Sequence, residues 1–301
     1  STGIFENWEY EGNLKSATGL SLIALFIVFS LIIFEKFSRR KTKRWSDNPA
    51  SLDSQGWVLK KHRAFFAIIV TLFPPTFAIG IPCFWVLLNF DQLNKGLTTE
   101  LLNLSFKTIS LGLITSLIAV IFSLILSLAN RKNKNLFLKL ITYPAGIGYA
   151  IPGSVLAITL VTISSSRFTL ISVCLLIWGY VIRFLTISKG SIDSALERIS
   201  PTLDEAANGL GSTWFDITRR IHLPLLKGPI FVGSLLVFVD TIKELPISFI
   251  YRPFDFDTLS VRIYQYAGDE RIAEAILPVL IIIILGLIAS STLIPSLEKK
   301  N

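Results

Sequence analysis

Residues 109–129 read ISLGLITSLIAVIFSLILSLA, twenty-one positions without a charge. A helix rises about 1.5 Å per residue, so this run is long enough to cross the ~30 Å hydrocarbon layer of a bilayer. Working outward, six further runs have the same character: Ser16 to Phe34, Ala64 to Phe90, Leu136 to Ile163, Phe168 to Ser188, Pro229 to Phe249 and Ala275 to Ile294. The remainder of the 301 residues is short polar or basic sequence, so the chain is 51% hydrophobic and 17% charged, with a mean hydropathy of +0.61. A soluble domain carries about 25% charged residues. The pattern predicts an all-α, polytopic membrane protein with about seven transmembrane helices: a six-helix core from Ala64 to Ile294, preceded by one helix.

The fourth run is the least regular. Pro144, Gly146, Gly148, Pro152 and Gly153 interrupt it and free backbone groups that neighbouring helices or a wet cavity must satisfy. It reads as a pathway lining. Cys83 and Cys174 lie inside apolar runs, lack any disulfide or metal-ligand spacing, and read as small buried residues. The first fifteen residues are polar and acidic (Glu6, Glu9, Glu11), unlike a cleavable signal peptide. The chain opens on Ser1 and contains no methionine, and it reads as a fragment of a longer protein; the missing methionines have no physical explanation in the sequence.

The net charge of +8 follows the loops. With the N-terminus outside, 20 of the 29 lysines and arginines fall on the cytoplasmic side, 7 outside and 2 (Arg183 and Lys243) within helices, as the positive-inside rule requires. The run Arg39, Arg40, Lys41, Lys43, Arg44 is then a topology determinant or a contact to anionic lipid, and no nucleic-acid partner is expected.

The cytoplasmic loop at 189–228 contains SPTLDEAANGLGSTWFDITRRIHLP (200–224), which parses as two short helices around a break. Ser200 and Pro201 supply a cap and a first-turn proline, Asp204 and Glu205 place negative charge at the helix start, and Gly209 and Gly211 stop it. Thr213 with Asp216 starts the second helix, although Asp is short for a capping box, and Leu223 and Pro224 end it. Leu203, Ala206, Ala207, Leu210, Trp214, Phe215 and Ile217 are too many apolar residues for two solvated turns. Either they fold back on the membrane or headgroup layer, or they meet a partner.

These residues carry a resemblance. Glu205, Ala206, Ala207, Gly211, Ile221, Leu223 and Pro224 reproduce the EAA signature of permease subunits in binding-protein-dependent ABC importers, at every offset of that pattern. The resemblance implies a type I ABC importer permease fold. It also implies that the loop is a coupling hairpin received by a cleft on a cytoplasmic ABC ATPase subunit, with Glu205 meeting a basic residue there and Gly211 allowing the turn. The stretch VFVDTIKELPISFIYRPFDFDTLSVRIYQYAGDERIAEA (237–275), with YAIPGSVLA (149–157), is similar to the ferric iron permeases of this class, and the likeness runs from about Trp57 to Leu297. Those permeases often carry two six-helix halves in one chain. Residues 1–56 therefore read as the last helix of a preceding half plus a cytoplasmic linker, and 57–301 as a six-helix permease domain. A second permease half or a homodimer, an extracytoplasmic substrate-binding protein, membrane lipid and an inner-membrane location are the other implications.

Asp240, Lys243 and Glu244 interrupt the sixth run. Each central charge costs about 2.5–3.5 kcal/mol to insert, while each of the segment's Ile, Leu, Val and Phe residues returns about 0.3–0.6. The charges should face protein or a wet pathway rather than lipid. Asp240 and Lys243 are three apart and can pair, and Pro246 weakens the helix beyond them. The group reads either as a neutralised structural pair or as a translocation pathway. Outside the membrane, Ile250 to Ile272 carries Tyr251, Asp255, Asp257, Tyr264, Tyr266, Asp269 and Glu270, oxygen groups suited to a hard ferric ion and also to contact with a binding protein. His62 and His222 read as solvated or interfacial cytoplasmic residues rather than metal ligands.

The chain has no Gly-Lys dipeptide and hence no phosphate-cradling P-loop, and neither an H-E-x-x-H nor a G-x-S-x-G pattern. No catalytic residue, metal or cofactor is expected, and ATP must be hydrolysed by another subunit. The favoured reading is an ABC importer permease that moves ferric iron. The alternatives are a permease for thiamine, phosphonate or a polyamine, and an ion-coupled secondary carrier using Asp240, Lys243 and Glu244. The EAA loop discriminates between importer and carrier, since an autonomous carrier has no use for an ATPase socket.

Overall fold

The computed structural model describes residues 2–9, 11–39, 59–89, 98–132, 135–164 and 169–298. The basic run from Arg40 to Arg44 and the tail lysines lie outside them. Among the described residues every regular element is helical: α1 (Thr2–Glu9), α2 (Leu14–Arg39), α3 (Lys61–Leu88), α4 (Thr99–Lys132), α5 (Leu136–Ala145), α6 (Gly153–Ile163), α7 (Thr169–Leu196), α8 (Pro201–Gly209), α9 (Trp214–Ile217), α10 (Leu223–Ile242), α11 (Pro246–Tyr251), α12 (Leu259–Gly268) and α13 (Ile276–Glu298). Among the described residues six helices are long and apolar enough to cross a membrane, and α5 with α6, bent at a short break, forms either a seventh, broken span or a re-entrant pair.

The burial pattern is inverted relative to a soluble protein. On α4 the buried positions recur every three or four residues and are mostly small or hydroxylic: Thr108, Gly112, Thr115, Ser116, Ala119, Ser123 and Ser127. Its exposed positions are large, including Phe106, Leu113, Leu117, Ile121 and Ile125. Lipid is as apolar as leucine, so helix association is driven by close packing and interhelical hydrogen bonds instead of burial of oil. The Ser123 and Ser188 hydroxyls accordingly meet at 2.5 Å across α4 and α7. The central cluster joins Leu111 and Ala119 of α4, Leu160 of α6, Leu176, Tyr180 and Phe184 of α7, Val237 of α10 and Ile247 of α11. The first span, α2, packs on α6 through Ala17 and Ile158, with Ile4 of α1 and Ile250 of α11 in the same cluster.

Four expectations change. The fourth run is bent by 116° between its helices, so it enters the bundle without crossing it straight. The sixth span ends at Ile242, and Pro246 opens a separate short helix, because proline at a first-turn position has no N–H to leave orphaned. The helix that begins the cytoplasmic loop runs on to Leu196, which shortens that loop at its start. Cys83 and Cys174 are exposed on the outer faces of their helices, not buried, since an apolar run in a membrane bundle supplies a lipid face as well as a core.

Candidate functional site

Two places on the bundle carry the residues singled out by the sequence: the hairpin at 200–224 and a charge site beside the break at 151–153.

The hairpin forms for local reasons. Ser200 accepts from the Thr202 N–H at 3.3 Å, Pro201 takes the first helical position, and α8 runs to Gly209. Gly211 sits at φ +81°, a left-handed conformation that glycine adopts without penalty. Thr213 and Asp216 make a full capping box in spite of the short aspartate: the Thr213 hydroxyl accepts from the Asp216 N–H, and the Asp216 carboxylate accepts from the Thr213 N–H, both at 3.3 Å. The hairpin's tip is bare. Leu210 is 88% and Phe215 69% exposed, and Leu203 and Glu205 are exposed beside them, whereas Ile217 turns inward. Of the other signature residues Ala206, Gly211 and Pro224 are exposed, and Ala207, Ile221 and Leu223 are half-buried. Leu203, Leu210 and Phe215 do not fold back on the bundle, whereas Ile217 does.

Leu223 and Pro224 do not end the second helix. Thr218–His222 is a π turn, and the helix continues from Trp214 to Ile242 without a break. A proline inside a helix crowds the carbonyl four residues back and offers it no N–H. The wide turn just before Pro224 accommodates that fault and keeps hairpin and membrane helix on one rod.

The wide turn also redirects His222, which is fully buried and not solvated as its sequence context implies. Its Nε2 lies 2.9 Å from Asp204 Oδ1; a carboxylate only accepts, so Nε2 donates. The other carboxylate oxygen accepts from Arg131 Nε at 2.7 Å. The rest of the Arg131 fork caps the end of α7, with Nη1 on the Leu196 carbonyl at 2.7 Å and Nη2 on the Ile199 carbonyl at 3.0 Å. Partial burial pushes the Asp204 carboxyl up, but the hydrogen bonds from Arg131 and then His222 outweigh it and hold the group below the ordinary carboxylate range. The Trp214 ring packs edge-on against His222 at 5.4 Å, and the Lys132 ammonium lies over the Trp214 ring, 5.9 Å from its centroid.

In the membrane, Asp240 and Lys243 pair at 2.7 Å as their spacing predicts, but Lys243 remains 59% exposed, so this pair flanks the bundle and does not fill it. Glu244 is the buried member, and its partner is Arg183 of α7, at 2.8 Å. The two charges lie against the break in the fourth run: a Cβ on Gly153 would overlap Arg183 Nη1, the Glu244 carboxylate and, at 3.1 Å, Pro246. The Glu244 main-chain carbonyl accepts from the hydroxyls of Ser248 at 3.1 Å and Ser260 at 2.7 Å, joining α11 and α12 to the site. Arg183 Nε and Ser154 Oγ are buried and have no hydrogen-bond partner among the described residues. Arg183 was legible from sequence by the same insertion cost that singled out Glu244: an arginine in the apolar run VIRFLTI needs a counter-ion.

At the opposite end of α4 from Arg131, the stretch at 250–272 is cross-linked. Arg252 and Arg262 both pair with Asp257, Arg262 also reaches Glu100 at 2.7 Å, and Lys107 Nζ donates to the Asp255 carbonyl at 3.0 Å. Among the described residues no three His, Cys, Asp or Glu side chains converge as a metal-ion site. Phe254 is left fully exposed at the tip.

The sequence profile of the family described as binding-protein-dependent transport system inner membrane component matches residues 123–300, from the middle of α4 through the hairpin to the tail. The chain belongs to this family. It is a permease, a multi-pass inner-membrane protein. A curated relative, the Fe(3+)-transport system permease protein FbpB 2 of Haemophilus influenzae, is 22% identical over 286 residues, which cover 91% of this chain and 56% of the relative. The permease thus spans about half the length of that protein. Its fold is that of solved ABC importer structures. A bacterial ABC transporter involved in the import of the acidic polysaccharide alginate superposes with a TM-score of 0.60 at 16% identity, over 79% of this chain and 93% of that one. The bacterial alginate ABC transporter in complex with its alginate pentasaccharide-bound periplasmic protein gives 0.59 at 16% identity, over 78% and 93%.

Proposed function

We propose that this permease carries ferric iron across the cytoplasmic membrane, driven by a separate cytoplasmic ATPase that docks on the hairpin at 200–224. The observation that carries this reading is the bare apolar tip: Leu203, Leu210 and Phe215 stand exposed on a hairpin whose base is firmly bonded. Apolar side chains presented in that way fit a cleft on a partner, with Glu205, Ala206, Ala207 and Gly211 on the same hairpin. Iron as cargo is supported by the Fe(3+)-transport relative, and delivery by an extracytoplasmic binding protein by the family and by the alginate transporter's complex with its periplasmic protein.

The translocation path in this reading runs beside the break at Pro152 and Gly153, where Glu244 and Arg183 close on one another; Asp240, Lys243 and Pro246 flank it. The path needs a second permease half or a second copy opposite it, with residues 57–301 forming one six-helix domain and the helix before it contributed by the segment 1–56. Co-purification tests the docking: an ATPase subunit should remain bound to the tagged permease and be lost when Leu210 and Phe215 are both changed to Glu. Retention of the ATPase by that variant would move the docking site elsewhere.

A further inference from the structure

Asp204 occupies a position that the docking reading does not use. It is the residue before Glu205 and points the other way, into the bundle. Its two oxygens are divided between helices that are far apart in sequence: one takes Arg131 Nε of α4 at 2.7 Å, the other His222 Nε2 at the foot of α10 at 2.9 Å. Arg131 in turn holds the Leu196 carbonyl at the end of α7 and the Ile199 carbonyl just beyond it. Arg131, Asp204 and His222 expose 13%, 14% and none of their side chains, so water competes little for these bonds.

We propose that Asp204, Arg131 and His222 form one joint that fixes the hairpin's orientation relative to α4, α7 and α10, and that they are positioning residues of the permease. The joint is rigid because Asp204 and Arg131 are each bonded on more than one side and His222, bonded through Nε2, is held by burial and by the Trp214 ring against it. Arg131 supplies a planar fork whose separate N–H groups serve two helices at once, a task a lysine ammonium cannot do in the same geometry. His222 faces Asp204 because the π turn rotates it inward, away from the exposed Arg219 and Arg220 just before it. A push on the exposed tip then reaches three membrane helices through one carboxylate.

The inference rests on the proposed docking only for its effect on transport, and two measurements keep the two apart. In the first, the chain in lipid nanodiscs is treated with trypsin, and cleavage between Arg219 and Arg220 reads local opening of the hairpin. Asp204→Asn, Arg131→Gln and His222→Ala should each raise the cleavage rate roughly tenfold. Arg131→Lys should fall between them and the parent, and His222→Gln, which keeps a donor toward Asp204, should stay near the parent. Parental cleavage in Asp204→Asn overturns the joint. In the second, the complex with the co-purified ATPase is supplied with ferric citrate. The loosened variants should consume several-fold more ATP per iron imported, whereas a contact that only helps folding would lower both rates in step, and that outcome would remove the positioning role. Absence of any ATPase on the parental protein would refute the docking while leaving the proteolysis result to decide the joint.

Discussion

Glu244 accepts a 2.8 Å hydrogen bond from Arg183 Nη1 against Gly153, a position in the fourth span that carries no side chain. The charge of each residue is affordable there only because of the other, and the bare backbone of the break lets them meet. Arg183 comes from the middle of α7 and Glu244 from just past the end of α10, so the pair ties together the two helices that flank the break.

Removing one member leaves the other charged and buried without a partner, which costs about 3–5 kcal/mol, more than neutralising both. Glu244→Gln and Arg183→Gln should each lower the melting midpoint of the detergent-purified chain clearly, and the double variant Arg183→Gln with Glu244→Gln should recover most of the loss. Iron uptake should stay low in all three. Equal midpoints for single and double variants would show that the pair is not coupled, and normal uptake by Glu244→Gln would remove Glu244 from the mechanism.

The break itself makes a second prediction. A methyl group at Gly153 has no room beside Arg183 and Glu244, so Gly153→Ala should destabilise by about 1–3 kcal/mol through overpacking. Gly190 is a fair control, because it lies in the same bundle, in mid-helix, with nothing within 4 Å of its would-be Cβ. Gly190→Ala should be stabilising by about 0.5–1 kcal/mol through helix propensity. Thermal melts of both variants in one detergent give the comparison.

At the tip, Gly211 has open space around it but a backbone that L-residues avoid. Gly211→Ala should therefore cost about 1–2 kcal/mol from backbone strain alone, and Gly211→Asn less, since asparagine tolerates the left-handed region. The measurement is the amount of ATPase retained by the tagged chain, in the order parent, Asn, Ala. Full retention by the alanine variant would mean that the turn's geometry does not matter for docking.

Much of this was legible in the sequence, because membrane insertion is a strong constraint. Apolar runs locate the spans, and the Ser200, Gly211 and Thr213 signals set out the hairpin almost residue by residue. The errors share one cause. Periodicity and cost per charge say that a group needs a partner but not which partner, so Glu244 was grouped with its neighbours Asp240 and Lys243 while its counter-ion lay sixty-one residues away in Arg183. His222 was misread for the same reason, and the π turn that buries it has no signature in residue type beyond Pro224, which reads more simply as a helix end. The 116° bend at Pro152 and Gly153 was visible as irregularity, not as direction.

The joint at Asp204 has a defined pH range. Arg131 and His222 depress its pKa in the folded protein below the ordinary carboxylate value, so the stabilisation is complete above the unfolded value near about 3.9 and is lost as the pH falls through the lower folded value. Hydrogen exchange of residues 201–209, corrected for the intrinsic rate, should be flat from neutral pH down to about pH 4 and rise below it. In Asp204→Asn the corrected exchange should already be fast at neutral pH and show no such rise. A rise in the parent between about pH 5 and 7 would point to a group other than Asp204.

The proposed mechanism has the hairpin at 200–224 receive work from a nucleotide-hydrolysing partner. Its most direct test is radioactive iron uptake by proteoliposomes containing the purified permease assembly, with and without the co-purified ATPase and ATP. Uptake should require both and should disappear in Glu205→Arg. Sustained uptake by the permease alone, without the ATPase, would contradict the claim.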